Sequence, residues 1–215
     1  MTLSQPSKLE IEYLTLLRYS PRGHEMIHKT SRDWKNSIKS WTNMKKFPNF
    51  LLNILNQDNG VFEFIQDSTL VPIPSSSLVK PGALRVPFEI CNELSKLKDT
   101  FQIVDCLERF KSIKSSHSGY TTETRPSIND HFNSLRLRDN FIYTNKIILV
   151  DDVITRGTTS ISCAQILHNH YPDKTIRVFA LLRPDDKMPA DAPIYNIERG
   201  KITLHPSKNT FIEKY

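Results

Sequence analysis

The sequence is poor in the residues that mark several common protein classes. Its three cysteines, Cys91, Cys106 and Cys163, lie too far apart for a Cys-x-x-Cys motif and are odd in number for a closed set of disulfides. No apolar run approaches the length of about 18 residues that a membrane-spanning helix needs. Charged residues near the N-terminus interrupt any apolar core of a signal peptide. We therefore expect a cytoplasmic protein without a membrane segment.

Glycine is scarce as well, with six in 215 residues. No two glycines have Gly-x-Gly spacing, and neither Gly-Lys-Ser nor Gly-Lys-Thr occurs, which excludes the common nucleotide-binding loops. The string from His24 to His28 does fit the His-Glu-x-x-His pattern of zinc proteases. However, Pro21 and Gly23 would place His24 at the very start of a helix, and no third ligand follows at the expected spacing. Zinc catalysis is therefore not favoured.

The charge balance is modestly basic. The chain has 29 Lys and Arg against 23 Asp and Glu, a net charge of +6. This excess favours anionic ligands without distinguishing a nucleic acid from a phosphorylated small molecule. Apolar residues make up 38% of the chain, enough to bury the core of one ordinary domain with an appendage.

Residues 1–60 are predicted to form a helical N-terminal extension, because two apolar stripes with helical spacing lie between residues 8 and 57. The stripes consist of Leu9, Ile11, Leu14 and Leu17, and of Trp34, Ile38 and Trp41. Basic residues interleave with the second stripe at Lys35, Lys39, Lys45 and Lys46. This composition fits either a buried stripe flanked by lysines or a nucleic-acid surface, and the buried stripe is favoured.

Beyond residue 60 strands alternate with helices. Strands are predicted over residues 61–65, 69–73, 101–106, 146–150 and 176–182, and helices near Pro87 and over residues 158–169. This order predicts an α/β fold whose core, residues 61–190, is a parallel sheet flanked by helices. Residues 111–129 are rich in Ser and Thr and hold few groups to bury, which is typical of a mobile functional loop.

The most informative segment runs from Ile147 to Thr159. Its apolar start predicts a strand buried on both faces, and Asp151 and Asp152 follow at the carboxyl end, where open α/β sheets bind ligands. The loop that then opens a helix consists of Thr155, Arg156, Gly157, Thr158 and Thr159. Hydroxyls and free N–H groups at a helix start suit a monoester phosphate.

The acidic pair needs a partner other than that phosphate. Vicinal ribose hydroxyls can each donate a hydrogen bond to a carboxylate, so the segment predicts a ribose 5-phosphate pocket. Taken alone, an Asp pair is better explained as an acidic turn that caps the following helix. The complete run of strand, acids and loop favours the pocket.

This segment closely resembles the signature of the type I phosphoribosyltransferases, enzymes that bind 5-phosphoribosyl 1-diphosphate (PRPP). The resemblance implies that Asp151 and Asp152 hold the ribose hydroxyls and that residues 155–159 wrap the 5-phosphate. The prolines and serines of residues 72–77 are similar to the pyrophosphate loop of ComF-like members. The resemblance implies that Ser75, Ser76 and Ser77 bind the diphosphate. Residues 111–129 stand where the family has a flexible loop, which would bring Lys114 and Arg125 to the diphosphate. The cysteine-rich zinc segment of ComF-like proteins is missing.

The resemblance implies a PRPP-dependent phosphoribosyltransferase that releases pyrophosphate. Mg²⁺ would be carried by PRPP and not bound directly by the protein, and the acceptor, a base or an amine, stays open. The alternative is a PRPP-sensing regulator or nucleic-acid-binding protein that retains the pocket without catalysis. The family builds a hood over the acceptor from segments outside the sheet, so residues 1–60 and the C-terminal tail, residues 191–215, are expected to form it. A homodimer is left open.

Overall fold

A seven-stranded sheet forms the centre of the protein. The structure is a computed structural model that describes residues 9–42, 44, 47–97, 101–114, 126–138, 140–204 and 210–215. In chain order the elements are β1 (Glu10–Tyr19), α1 (Met26–Ser40), α2 (Phe47–Gln57), α3 (Asn59–Ile65), β2 (Ser68–Pro72), α4 (Val86–Leu97), β3 (Gln102–Ile103), β4 (Leu107–Arg109), α5 (Ile128–Phe132), β5 (Leu135–Leu137), β6 (Lys146–Val153), α6 (Thr158–His170), β7 (Thr175–Pro184), β8 (Tyr195–Leu204) and β9 (Thr210–Lys214).

The sheet is mostly parallel, with strand order β3-β2-β6-β7-β1-β8-β9. The strands from β3 to β1 run parallel, and β8 and β9 add an antiparallel edge. A separate antiparallel pair is formed by β4 and β5. Among the described residues no helix is long and apolar enough to cross a membrane.

Helices cover both faces of this sheet. Alternate residues of β6 face opposite sides, as strand geometry requires: Ile148 packs in the core under α1 to α4, and Leu149 packs in the core under α6. The predicted α/β fold, a parallel sheet flanked by helices, is confirmed at this level. The strands predicted at residues 69–73, 146–150 and 176–182 correspond to β2, β6 and β7, and of residues 101–106 only Gln102–Ile103 form a strand.

The helix predicted for the start of the chain is wrong over Glu10–Tyr19, which form β1. This strand lies inside the sheet, between β7 and β8. Tyr13 faces one core, whereas Leu14 and Leu16 face the other. A strand buried on both faces has apolar residues in succession, so its spacing cannot be told from that of a helix. Residues 10–19 thus belong to the sheet, and only residues 26–57 fit the expected helical extension.

Two further predictions require correction. Residues 61–65 form the end of helix α3 because Asp58 caps it, its carboxylate accepting from the Val61 N–H at 3.1 Å. Within residues 191–215 the chain forms β8 and β9, which pair with the sheet rather than standing apart as a tail. Alternating polar residues on an antiparallel edge conceal such strands from a search for apolar runs.

The second apolar stripe lies on α1 and just after it. Ile38 is fully buried, and Trp41 is half-buried against Phe47. Trp34 is 40% exposed and contacts Phe50, so the expected burial of this side chain is not found. Lys45 and Lys46 lie outside the described residues.

These burials predict unequal stability losses. We expect Ile38→Ala to lower the free energy of unfolding by about 2–5 kcal/mol, because it leaves a cavity in a close-packed core. Trp34→Ala should cost distinctly less, because much of the ring is already in water. Urea denaturation of the two variants measures the difference. Equal losses would contradict the assigned packing of α1.

Candidate functional site

The predicted acidic pair, the predicted phosphate loop and two of the three predicted serines meet at the carboxyl edge of the parallel strands. The ends of the paired strands β2 and β6 and the segments that follow them line a cavity of about 330 Å³. Its lining includes Lys39, Ser75, Ser76, Arg85, Arg109, His131, Asp151, Asp152, Thr155 and Thr159. A smaller cavity of about 40 Å³ surrounds the loop of residues 155–159 and shares Asp151 and His131 with the first. The two cavities thus have a common wall.

The acidic pair lies near the carboxyl end of β6. The Asp152 N–H donates to Asp151 Oδ1 at 2.9 Å. Burial, and then the neighbouring Asp152 carboxylate, raises the pKa of Asp151 well above its usual range. Lys39 Nζ, from α1, lies 3.0 Å from Asp152 Oδ2. Both carboxyl groups line the cavity, and the helical extension supplies one cation to it, Lys39.

The predicted phosphate loop leads directly into the first turn of α6. Gly157 is the N-cap of α6 with φ of 70°, and no side chain caps this helix of 13 residues. Thr155 and Thr159 line both cavities, and Thr158 and Arg156 line the smaller one. A Cβ on Gly157 would lie 2.7 Å from the Ile202 side chain. Glycine is thus required both by the left-handed conformation and by the close contact with β8.

This double requirement predicts a large effect of Gly157→Ala. We expect the free energy of unfolding to fall by about 2–4 kcal/mol, from the left-handed backbone and the clash with Ile202 together. Gly82→Ala is the matched control, because Gly82 has a φ of 73° but open space around it. The control should lose only about 1 kcal/mol. Similar thermal stability of the two variants would show that the contact with Ile202 is unimportant.

The serine loop reaches the cavity only in part. Ser75 and Ser76 line it, whereas Ser77 does not. The Ser75 hydroxyl donates to the Ser77 carbonyl at 2.9 Å, and the Ser76 carbonyl accepts from the Ile113 N–H at 3.0 Å. Lys114 is exposed and does not line the cavity. Arg125 lies outside the described residues.

Arg109, on β4, is a cavity residue that sequence reasoning missed. Its side chain is 2% exposed, and it donates to the Ser75 carbonyl and to Ser134 Oγ. Its Nη2 atom is buried without a hydrogen-bond partner among the described residues. Burial lowers the pKa of Arg109, but a guanidinium keeps its charge in proteins. The cavity is thus lined by a buried cation with a donor to spare.

His131, on α5, is a second cavity residue that sequence reasoning missed. It is 2% exposed, it lines both cavities, and its Nδ1 atom has no partner within the described part of the chain. Burial, and then the charge of Arg109, lowers the pKa of His131 from 6.5 to about 4. Buried polar atoms usually have partners, and these two unpartnered nitrogens belong to residues that line the same cavity.

The lowered pKa of His131 predicts acid sensitivity. The unfolded chain takes up the proton near an ordinary pKa of 6.5 and the folded protein only near about 4. Between these values the unfolded state binds more protons than the folded state. The free energy of unfolding therefore decreases as the pH is lowered through this range, by about 3 kcal/mol in total. The raised pKa of Asp151 acts in the opposite direction. The measurement is therefore the difference between the wild type and His131→Gln in urea denaturation.

The stability advantage of the wild type over His131→Gln should shrink as the pH is lowered from about 7 to about 4. Asn129→Gln, at an exposed position on the same helix, serves as the control, because it changes no titratable group, and its difference from the wild type should stay constant. A constant advantage of the wild type over His131→Gln would refute the buried, neutral imidazole.

The zinc pattern at the start of the chain does not form a helical pair. Helix α1 begins at Met26, after the exposed His24. The Nε2 atom of the buried His28 lies 2.9 Å from the Met188 carbonyl oxygen. Across the described ranges no group of three or more His, Cys, Asp or Glu side chains is placed to hold a metal ion.

Comparisons with known proteins assign no family to the chain. A scan against family models finds no match, and a search of curated proteins finds none either. The function must therefore be argued from the cavity and its residues.

Proposed function

We propose that this protein binds PRPP and transfers its 5-phosphoribosyl group to an acceptor, as a phosphoribosyltransferase of the type I fold. The observation that carries the proposal is the convergence of three features on two adjoining cavities that share lining residues. These features are the acidic pair of β6, the loop of residues 155–159 at the start of α6, and the buried guanidinium of Arg109. Each has the chemistry that one part of PRPP requires.

The 5-phosphate would bind at the start of α6. The positive end of the helix dipole and the hydroxyls of Thr155 and Thr159 suit a phosphate dianion. The two ribose hydroxyls would donate to Asp151 and Asp152. Such bonds favour the ionised carboxylates and offset the cost of burying them.

The diphosphate would lie toward β4 and the loop after β2. There the spare Nη2 donor of Arg109 supplies fixed positive charge in a buried wall. In the transfer, the bond between C1 and the diphosphate oxygen breaks, and its electron pair leaves with pyrophosphate. The acceptor nucleophile bonds to C1 and loses its proton to solvent. Charge placed in advance near the leaving group lowers the barrier, because it needs no reorganisation during the step.

Magnesium would accompany the substrate, because the proposal assigns the carboxylates of Asp151 and Asp152 to the ribose hydroxyls and not to the ion. When bound, the ion would supply charge neutralisation at the diphosphate, with phosphate and water oxygens completing its coordination.

Two alternatives make different predictions. A PRPP-sensing regulator would use the same cavity without catalysis. A nucleic-acid surface on α1 has less support, because Lys39 is paired with Asp152 and Lys35 Nζ lies 5.4 Å from the centroid of the Tyr19 ring. We therefore expect only weak binding of single-stranded DNA or RNA at physiological salt.

The test is pyrophosphate release from PRPP and Mg²⁺ in the presence of a panel of bases and amines. Release that depends on one class of acceptor, and that disappears in the Asp151→Asn/Asp152→Asn variant, supports the transferase. Release that persists in this variant would point to a contaminating enzyme. PRPP binding without release for every acceptor would favour the regulator.

A further inference from the structure

The phosphate loop is held from behind by an arginine that does not line either cavity. Arg183, near the end of β7, donates from Nη1 to the Thr155 carbonyl at 2.5 Å and to the Ile154 carbonyl at 3.3 Å. These two consecutive carbonyls stand at the start of the loop. Arg183 is absent from the lining of the two cavities. It can therefore act on a ligand only through the backbone of the loop.

The guanidinium is itself fixed by Glu198 on β8. Arg183 Nε donates to Glu198 Oε1 at 2.9 Å, and the Tyr13 hydroxyl donates to the same oxygen at 2.7 Å. Lys214, on β9, lies 3.3 Å from Glu198 Oε2. Burial alone would raise the pKa of Glu198, but the bond from Tyr13 and the charges of Arg183 and Lys214 hold this pKa below its usual range. Both carboxylate oxygens are thus occupied.

The planar peptide bond gives this arrangement a consequence for binding. In a trans peptide the carbonyl of one residue and the N–H of the next point in opposite directions. Arg183 fixes the carbonyls of Ile154 and Thr155 on its own side. The N–H groups of Thr155 and Arg156 are thereby turned away from Arg183, and both residues line the smaller cavity.

We propose that Arg183, held by Glu198, is a positioning residue that orients the N–H groups of the phosphate loop toward the 5-phosphate. The inference rests on the proposed function, because it assumes that this loop binds a phosphate monoester. It also gives β8 and β9 a role, because Glu198 and Lys214 support the site from the antiparallel edge of the sheet.

The experiment compares two ligands by calorimetry, ribose 5-phosphate for the loop and inorganic pyrophosphate for the other end of the cavity. Arg183→Gln cannot bridge both carbonyls and Glu198, so we expect its affinity for ribose 5-phosphate to fall by about tenfold or more. Its affinity for pyrophosphate should stay close to that of the wild type. Arg183→Lys, which keeps one charged donor, should recover part of the loss.

Arg199→Gln is the matched control, because it removes an ion pair with Asp58 from the same edge of the sheet without contact to the loop. Its affinities for both ligands should be unchanged. If Arg183→Gln does not fold, Glu198→Gln decides, with a smaller loss confined to ribose 5-phosphate. Unchanged affinity, or an equal loss for both ligands, would overturn the positioning role. Failure of the wild type to bind ribose 5-phosphate would instead overturn the proposed function together with this role.

Discussion

Replacing Asp151 and Asp152 together by asparagine is expected to weaken PRPP binding by about 100-fold or more. Hydrogen bonds to charged groups contribute about 1.5–3 kcal/mol each, and the double variant removes both carboxylates that would accept from the ribose hydroxyls. The fold should survive, because burial already raises the pKa of Asp151 and a neutral amide removes the cost of a buried charge. Calorimetry with Mg²⁺ and PRPP, together with thermal unfolding, measures both quantities.

Asp185→Asn is the control for this variant. Asp185 lies just after β7, pairs with Arg18 at 3.5 Å and lines neither of the two site cavities. Its removal should leave PRPP affinity unchanged. If the double variant is folded and binds PRPP as tightly as the wild type, the acidic pair takes no part in PRPP binding.

Replacing Arg109 by methionine is expected to abolish most binding of inorganic pyrophosphate, again by about 100-fold. The spare Nη2 donor is a buried cationic group in the cavity wall, and no methionine atom replaces its charge or its hydrogen bond. We also expect a loss of about 2–4 kcal/mol in the free energy of unfolding, because the Ser75 carbonyl and Ser134 Oγ lose their donor. Titration with pyrophosphate and urea denaturation measure the two effects.

Arg109→Lys separates the two effects, because it keeps the charge and can restore only part of the hydrogen bonding. It should bind pyrophosphate better than the methionine variant. Lys96→Gln is the surface control, since Lys96 is exposed, does not line the cavity and is paired with Glu93 at 2.7 Å. Pyrophosphate affinity that is equal in the wild type and a folded Arg109→Met variant would exclude Arg109 from the site.

The centre of the fold was predictable from the sequence because its signals are local. Three local patterns each predict one element: the apolar run of β6, the Thr-rich start of α6 and the apolar run of β7. Their order, strand, helix and strand, predicts the parallel arrangement. The strand β1 was not predictable in this way. Its residues pair with β7, which begins only at residue 175. An apolar run without alternation does not indicate whether it forms a strand or with which distant strand it pairs.

The candidate site was predictable to the same extent, because its signal in the sequence is also local. Asp151, Asp152 and the loop of residues 155–159 are contiguous, so one segment contains the chemistry and its geometry. Lys39, Arg109 and His131 come from α1, β4 and α5, and only the tertiary fold brings them to the same cavity. A single arginine or histidine in a short element has no pattern around it, and its importance appears only in its burial and its unpartnered nitrogen.

The most direct test of the central claim is a calorimetric titration of the wild-type protein with PRPP in the presence of Mg²⁺. We expect saturable binding of one PRPP per chain, competed by pyrophosphate and by ribose 5-phosphate, which would occupy opposite ends of the two adjoining cavities. No detectable binding at millimolar PRPP, by a protein shown to be folded, would contradict the account.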